Sequence, residues 1–148
     1  MKRQAYTIIS MIVLVGSLAV AAKAQKPNRT QLIANIPFQF NVGNETLPAG
    51  EYTVLSVMAD SSNVVLKMQN QDGKSSAMFQ ATAVEGKAQD RTMLVFHRYG
   101  SKYFFAQAWV DGEKFGLQAP KSRAERVTER EFAAIKMTTE SVTASARR

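Results

Sequence analysis

The 148-residue chain has no cysteine and a single histidine. The absence of cysteine excludes disulfide bonds, thiolate metal sites, cysteine nucleophiles and a lipidated N-terminal cysteine. A single histidine excludes a metal site built from several histidines of one chain. The eight glycines stand singly, in contexts typical of turns, so no glycine-rich phosphate-binding loop is present. We therefore expect no metal and no other cofactor.

Long apolar runs are also scarce, and the one clear run lies near the N-terminus at Ile8–Val20. It follows the basic residues Lys2 and Arg3 and precedes the small-x-small sequence Ala22–Ala24. This order is typical of a secretory signal peptide, so we predict a signal peptide at residues 1–24 and a periplasmic or extracellular protein. The alternative is an uncleaved anchor, although the run is near the shortest length that spans a bilayer. After cleavage we expect no membrane span.

Basic residues exceed acidic residues by seven, but the excess is uneven. Residues 25–120 contain nine basic and eight acidic residues, whereas residues 121–148 contain seven basic and four acidic residues. The nearly neutral body argues against a nucleic-acid partner. The predicted partners are an anionic envelope polymer, a polysaccharide or another envelope protein.

The sequence from Leu32 to Val42 alternates apolar and polar residues, which predicts a strand with one buried face. Pro37 predicts an edge strand or a break, because proline has no N–H to donate. Further strand-like segments follow between turn sequences, at 51–57, 64–69, 74–84, 92–98, 103–110 and 114–117. We predict an all-β domain over residues 25–120, as an antiparallel sandwich or small barrel of about seven strands.

The composition changes at residue 121. Residues 122–137 contain good helix formers and no glycine or proline, which predicts a short helix. Residues 138–148 are rich in Thr, Ser, Ala and Arg, which predicts a flexible tail. Four basic residues lie among glutamates in this segment: Lys121, Arg123, Arg126 and Arg130. Such a mixture is typical of a solvated helix face; the alternative is a basic segment that tethers the protein to an anionic envelope surface.

Aromatic residues crowd the predicted hairpin at 92–110. Strand alternation assigns Tyr103 and Trp109 to one face of it. We predict a binding surface in which cations attract anionic groups and aromatic rings stack on the ligand. The residues of this predicted surface are Arg98, Tyr99, Lys102, Tyr103 and Trp109. The alternative is that these rings are buried in the core or under the C-terminal segment.

His97 lies at the end of a predicted strand, just before the turn at Gly100. The structural interpretation is the polar end of a hairpin, and we predict no catalytic residue. The alternative is a small secreted hydrolase in which His97 is a general base beside nearby carboxylates. No Gly-x-Ser-x-Gly sequence accompanies His97. Five acidic residues fall at predicted turns, where such residues favour chain reversal: Asp60, Asp72, Asp90, Asp111 and Glu113.

Three sequence segments together carry a resemblance to known proteins: Ile36–Val54, Leu94–Trp109 and Pro120–Arg126. The chain resembles a group of small exported proteins of Acidobacteria and related soil bacteria for which no activity is established. The resemblance implies a bacterial, exported, single-domain protein and assigns no functional residue. From the residues and the resemblance we predict a non-catalytic protein with a binding or structural role in the cell envelope or outside the cell.

Overall fold

The computed structural model of the chain describes residues 31–59, 64–133 and 137–147. The predicted signal peptide and the predicted loop at 60–63 lie outside these residues. The described residues form ten strands and one helix. The strands are β1 (Gln31–Ile36), β2 (Phe40–Val42), β3 (Glu45–Leu47), β4 (Gly50–Ala59), β5 (Val64–Asn70), β6 (Ser76–Glu85), β7 (Met93–Tyr99), β8 (Lys102–Trp109), β9 (Phe115–Gln118) and β10 (Thr138–Arg147), and the helix is α1 (Arg123–Glu131).

Eight strands close into an antiparallel barrel in the order β7, β10, β1, β4, β5, β6, β9 and β8, and β8 pairs again with β7. The pairs Gln107–Gln118 and Ala108–Leu117 join β8 to β9. Beyond these pairs, the hairpin of β2 and β3 occupies the space between β8 and β6. The prediction of an all-β fold is confirmed, and the sheet is a barrel with more strands than the sequence pattern predicted.

Buried and more exposed residues alternate along β1 and β2, so each strand has one buried face, as predicted. Pro37 lies between the two strands, where the chain leaves regular strand geometry. An eight-stranded barrel is just wide enough for side chains to fill its interior. Six of the largest fully buried side chains lie in this interior, and they come from five strands: Ile36, Phe40, Tyr52, Met68, Leu94 and Phe96.

A β-bulge interrupts the pairing of β7 with β8. Val95 pairs with Gln107, whereas the next residue, Phe96, pairs with Phe105, so Ala106 is an extra residue in β8. One extra residue reverses the faces of all residues beyond it. Alternation predicted from the sequence is therefore correct only up to the bulge.

The bulge overturns the prediction that Tyr103 and Trp109 share a face. Tyr103, before the bulge, packs against the interior cluster, and Ala108, after the bulge, belongs to that cluster. Phe104 and Trp109 are also buried, but on the outside of the wall, away from that cluster. Both faces of β8 are thus covered, which explains why apolar residues are not confined to alternate positions of this strand.

The C-terminal segment is a strand and not the predicted tail. β10 pairs with β1 on one side and with β7 on the other. Val142 and Ala144 of β10 pack against the core, so this strand completes the barrel wall. The chain therefore returns to the same barrel after the helix. The predicted short helix is confirmed and spans Arg123–Glu131.

Candidate functional site on helix α1

Helix α1 begins with a side-chain cap. The Ser122 Oγ accepts a hydrogen bond from the backbone N–H of Glu125 at 3.1 Å. This bond satisfies one of the backbone donors that a helix leaves unpaired in its first turn. Glu125 and Thr128 are the buried residues of the helix, so a polar face is turned toward the barrel.

Glu125 joins α1 to the outer face of β7. His97 Nδ1 donates to Glu125 Oε1 at 2.7 Å, and the Tyr99 hydroxyl donates to the same oxygen at 3.3 Å. The Glu125 side chain is 3% exposed and that of His97 is 24% exposed. Burial raises the pKa of the Tyr99 hydroxyl above its usual value, and the neighbouring Glu125 charge acts in the same direction. We call these three residues the β7–α1 cluster.

The other two glutamates of the helix lie beside lysines. Glu129 Oε1 accepts from Lys121 Nζ at 2.6 Å, and this bond raises the pKa of Lys121. Glu131 lies 3.9 Å from Lys102 Nζ, at the start of β8. Each glutamate of α1 therefore has a basic partner that lies outside the helix.

The solvent side of α1 has the opposite charge. Arg123, Arg126, Val127 and Arg130 follow the i, i+3, i+4, i+7 spacing that places residues on one helix face. All four are exposed, and Val127 is 46% exposed. Within the part of the chain that the structure describes, none of these arginines lies in an ion pair. We call these residues the arginine face.

The predicted binding surface does not form as one patch. Arg98 is exposed, its Nε donates to the Gly100 carbonyl at 2.9 Å, and its guanidinium lies 5.5 Å from the centre of the Tyr103 ring. The Tyr103 ring stacks on Phe38 at 3.9 Å between ring centres. Phe38 and Tyr103 are partly buried and pack against the core.

The remaining three predicted residues lie elsewhere. Tyr99 is buried beneath α1, and Lys102 is half exposed beside Glu131. Trp109 is 6% exposed. Its ring covers Gly86 and Gly116, because a Cβ added at Gly116 would lie 2.6 Å from Trp109 Cδ2 and one added at Gly86 would lie nearly as close to the ring. Burial leaves neither Tyr99 nor Trp109 a free ring face for a ligand. The predicted alternative, cover by the C-terminal segment, holds for Tyr99.

Two clefts meet near Asn44 in the β2–β3 turn. One has a volume of about 360 Å³ and lies between this turn, β6 and the segment that leads into α1. The other, of about 450 Å³, lies between the turn, the start of β8 and α1. Both volumes are within the range of small-ligand sites. Arg123 lines the second cleft, so the arginine face extends into it.

Sequence reasoning missed Glu125. Ser122 and Glu125 have the Ser-x-x-Glu spacing of a capping box, a signal that predicts where the helix begins. In a capping box the glutamate returns to the backbone of the cap residue. Here its carboxylate instead accepts from His97 and Tyr99, and no local pattern indicates partners 28 and 26 residues away.

No family model, no curated protein and no solved structure matches this chain. The described residues contain no helix long and apolar enough to cross a membrane. They also contain no group of three or more His, Asp or Glu side chains arranged to hold a metal ion. Any functional conclusion therefore depends on the site itself.

Proposed function

We propose that the protein is an exported, non-catalytic binding protein of the bacterial envelope, held on an anionic surface by the arginine face of α1. The observation that carries the proposal is the separation of charge on this helix. All three glutamates lie beside basic partners, while Arg123, Arg126 and Arg130 are exposed without one among the described residues. The signal-like N-terminus supports export.

The physical basis is multivalent charge attraction. A basic residue near an anionic membrane contributes on the order of 1 kcal/mol, so three clustered arginines predict about a hundredfold gain in binding. Guanidinium groups bind phosphate and carboxylate oxygens through two parallel hydrogen bonds. Since salt screens exposed charges, binding should weaken steeply as ionic strength rises.

The test is co-sedimentation of residues 25–148 with envelope fractions of the host across a salt series. The variant is the triple substitution of Arg123, Arg126 and Arg130 by glutamine. We expect a loss of about a hundredfold in affinity at low salt. The matched control replaces Lys74, Lys87 and Lys114, three exposed lysines elsewhere on the barrel, by glutamine and changes net charge equally. Equal losses in the two triple variants, or binding insensitive to salt, would contradict the proposal.

A second candidate function is the small secreted hydrolase, favoured by the 2.7 Å hydrogen bond between His97 and Glu125. The carboxylate would orient the imidazole, and Nε2 would act as the base. Neither of the two clefts described above includes His97 in its lining. Substrate screens that reveal an activity lost in His97→Ala would support this candidate, and an activity retained in His97→Ala would eliminate it.

A further inference from the structure

The larger cleft beside α1, hereafter the α1 cleft, is open to solvent and lies between a barrel side that carries Lys102 and a helix side that carries Arg123. Its volume is about 450 Å³. Its lining residues are Asn44, Lys102, Arg123, Ala124, Val127, Thr128 and Glu131. These come from three separate elements: the β2–β3 turn, the start of β8 and one side of α1 from its first residue to its last. The cleft therefore exists only when α1 is docked on the barrel.

The cleft offers two cations from different elements. Arg123 has no ion-pair partner among the described residues. Lys102 lies 3.9 Å from Glu131, and both side chains are at least half exposed. Exposed pairs of this kind contribute only about 0–1 kcal/mol, so a doubly charged anion can replace Glu131 as the partner of Lys102. Asn44 and Thr128 add side chains with hydrogen-bond donors.

Both walls of the α1 cleft are held in place by hydrogen bonds. On the helix side, the Ser122 cap and the Glu125–His97 contact fix the first turn of α1. On the barrel side, Asn41 Nδ2 donates to the Tyr103 carbonyl at 3.2 Å and steadies the hairpin that carries Asn44. A site whose parts are already positioned loses little conformational entropy when a ligand binds.

We propose that the α1 cleft binds the phosphate group of a phosphate ester, with Lys102 and Arg123 on opposite sides of the phosphate. Phosphate carries more negative charge and more acceptor oxygens than a carboxylate, which suits a site with two cations and two neutral donors. The apolar part of the lining, Ala124 and the half-exposed Val127, suits the organic portion of the ester.

Such an ester has two sources, the headgroup of an anionic phospholipid or a soluble phosphate ester. The inference rests on the proposed function only through Arg123, which belongs to both the arginine face and the α1 cleft. Lys102 belongs to the cleft alone, whereas Arg126 and Arg130 belong to the face alone. These residues therefore separate the two proposals experimentally.

The first arm titrates the protein with sn-glycerol 3-phosphate and follows backbone amide shifts by NMR, with glycerol as the ligand control. We expect saturable shifts in the β2–β3 turn and the first turn of α1. Lys102→Gln should weaken binding about tenfold or more, because it removes a charged hydrogen-bond donor. The double variant Arg126→Gln with Arg130→Gln should bind the ester as the wild type does. Asn44→Ala tests the same cleft without changing charge and should also weaken binding.

The second arm measures binding to vesicles of phosphatidylglycerol mixed with phosphatidylcholine, and to phosphatidylcholine alone. If the source is a lipid headgroup, Lys102→Gln weakens binding to the mixed vesicles about as much as it weakens ester binding. If the source is soluble, Lys102→Gln affects the ester only. Absence of saturable shifts with the ester, or wild-type affinity in both Lys102→Gln and Asn44→Ala, would overturn the cleft proposal. Loss of envelope binding in the Arg126 and Arg130 double variant would still support the proposed function.

Discussion

The barrel interior and the β7–α1 cluster are both buried, but they are built from opposite chemistry. The interior is almost wholly apolar, and the hydroxyl of its fully buried Tyr52 donates to the Pro48 carbonyl at 2.8 Å. The cluster buries a carboxylate, a phenol and part of an imidazole on the outside of the same wall. In the described residues no buried side-chain nitrogen or oxygen lacks a partner.

The barrel interior and the β7–α1 cluster therefore contribute to the structure in different ways. Apolar burial is strong and non-directional, so the interior supplies most of the free energy that holds the barrel folded. Hydrogen bonds to a charged group are directional and costly to leave unpaired, so the cluster specifies one position for α1. The position of α1 in turn sets the arginine face and the α1 cleft.

In the interior, we expect the largest loss of stability from substitution of Phe96. This side chain is fully buried and makes edge-to-face contacts with Phe38, Phe40 and Phe105, at ring-centre distances of 5.2, 5.4 and 5.8 Å. Phe96→Ala should lower the free energy of unfolding by about 3–5 kcal/mol, because it removes apolar contacts and leaves a cavity. Chemical denaturation followed by tryptophan fluorescence measures this loss.

The matched control is Phe115→Ala, since Phe115 is 61% exposed. It should change the free energy of unfolding by less than about 0.5 kcal/mol. A loss at Phe115 comparable to that at Phe96 would contradict the assignment of the stabilising contacts to the barrel interior.

In the β7–α1 cluster, we expect substitution of Glu125 to cause a smaller loss of stability that is confined to the region of α1. Glu125→Ala leaves the His97 Nδ1 and the Tyr99 hydroxyl without their shared acceptor, at an expected cost of about 1–3 kcal/mol. Alanine is the best helix former, so the loss would come from docking and not from helix propensity. Hydrogen exchange should show faster exchange in α1 and unchanged protection in β4 and β5.

Glu129→Ala is the control on the same helix. Its ion pair with Lys121 is 2.6 Å long, but both side chains are more than one-third exposed. Exposed pairs contribute about 0–1 kcal/mol, so α1 should keep its protection in this variant. If Glu129→Ala undocked the helix as much as Glu125→Ala, the buried cluster would not be what positions α1.

The contrast between the two regions also explains how much the sequence predicted. Alternation identified most of the strands and the buried face of β1 and β2, because one-sided burial imposes a period of two. It failed in β8, where the bulge at Ala106 reverses the faces. It failed again in β10, whose inward residues Val142 and Ala144 are too small and too few to give a strong apolar signal.

The candidate site was less predictable than the fold. Lys102 and the arginines of α1 were identified as basic residues, but alternating signs along the chain predicted a mixed-charge face. Only the folded chain shows that the glutamates face basic partners outside the helix while the arginines do not. The pairs of Glu125 with His97 and of Glu131 with Lys102 join residues far apart in sequence, which no local pattern encodes.

The smallest expected effect on stability comes from the Tyr99 hydroxyl, and it depends on pH in the alkaline range. Burial first, and the Glu125 charge second, raise the pKa of Tyr99 above its ordinary value of 10.0. The folded protein therefore favours the protonated phenol more than the unfolded chain does. The stability that Tyr99 contributes is complete below pH 10 and is lost as the pH rises through its folded pKa.

Tyr99→Phe removes this titration and keeps the ring. At neutral pH the variant should lose only about 0.5–1.5 kcal/mol, the value of one hydrogen bond. Burial likewise raises the pKa of Tyr52, and a hydrogen bond to Glu129 raises that of Lys121, so both proteins should lose stability above pH 10. The wild type should lose more, so the two curves of unfolding free energy against pH should converge above pH 10. Curves that stay parallel would mean that the Tyr99 hydroxyl is not held against a buried charge, and that the β7–α1 cluster opens in solution.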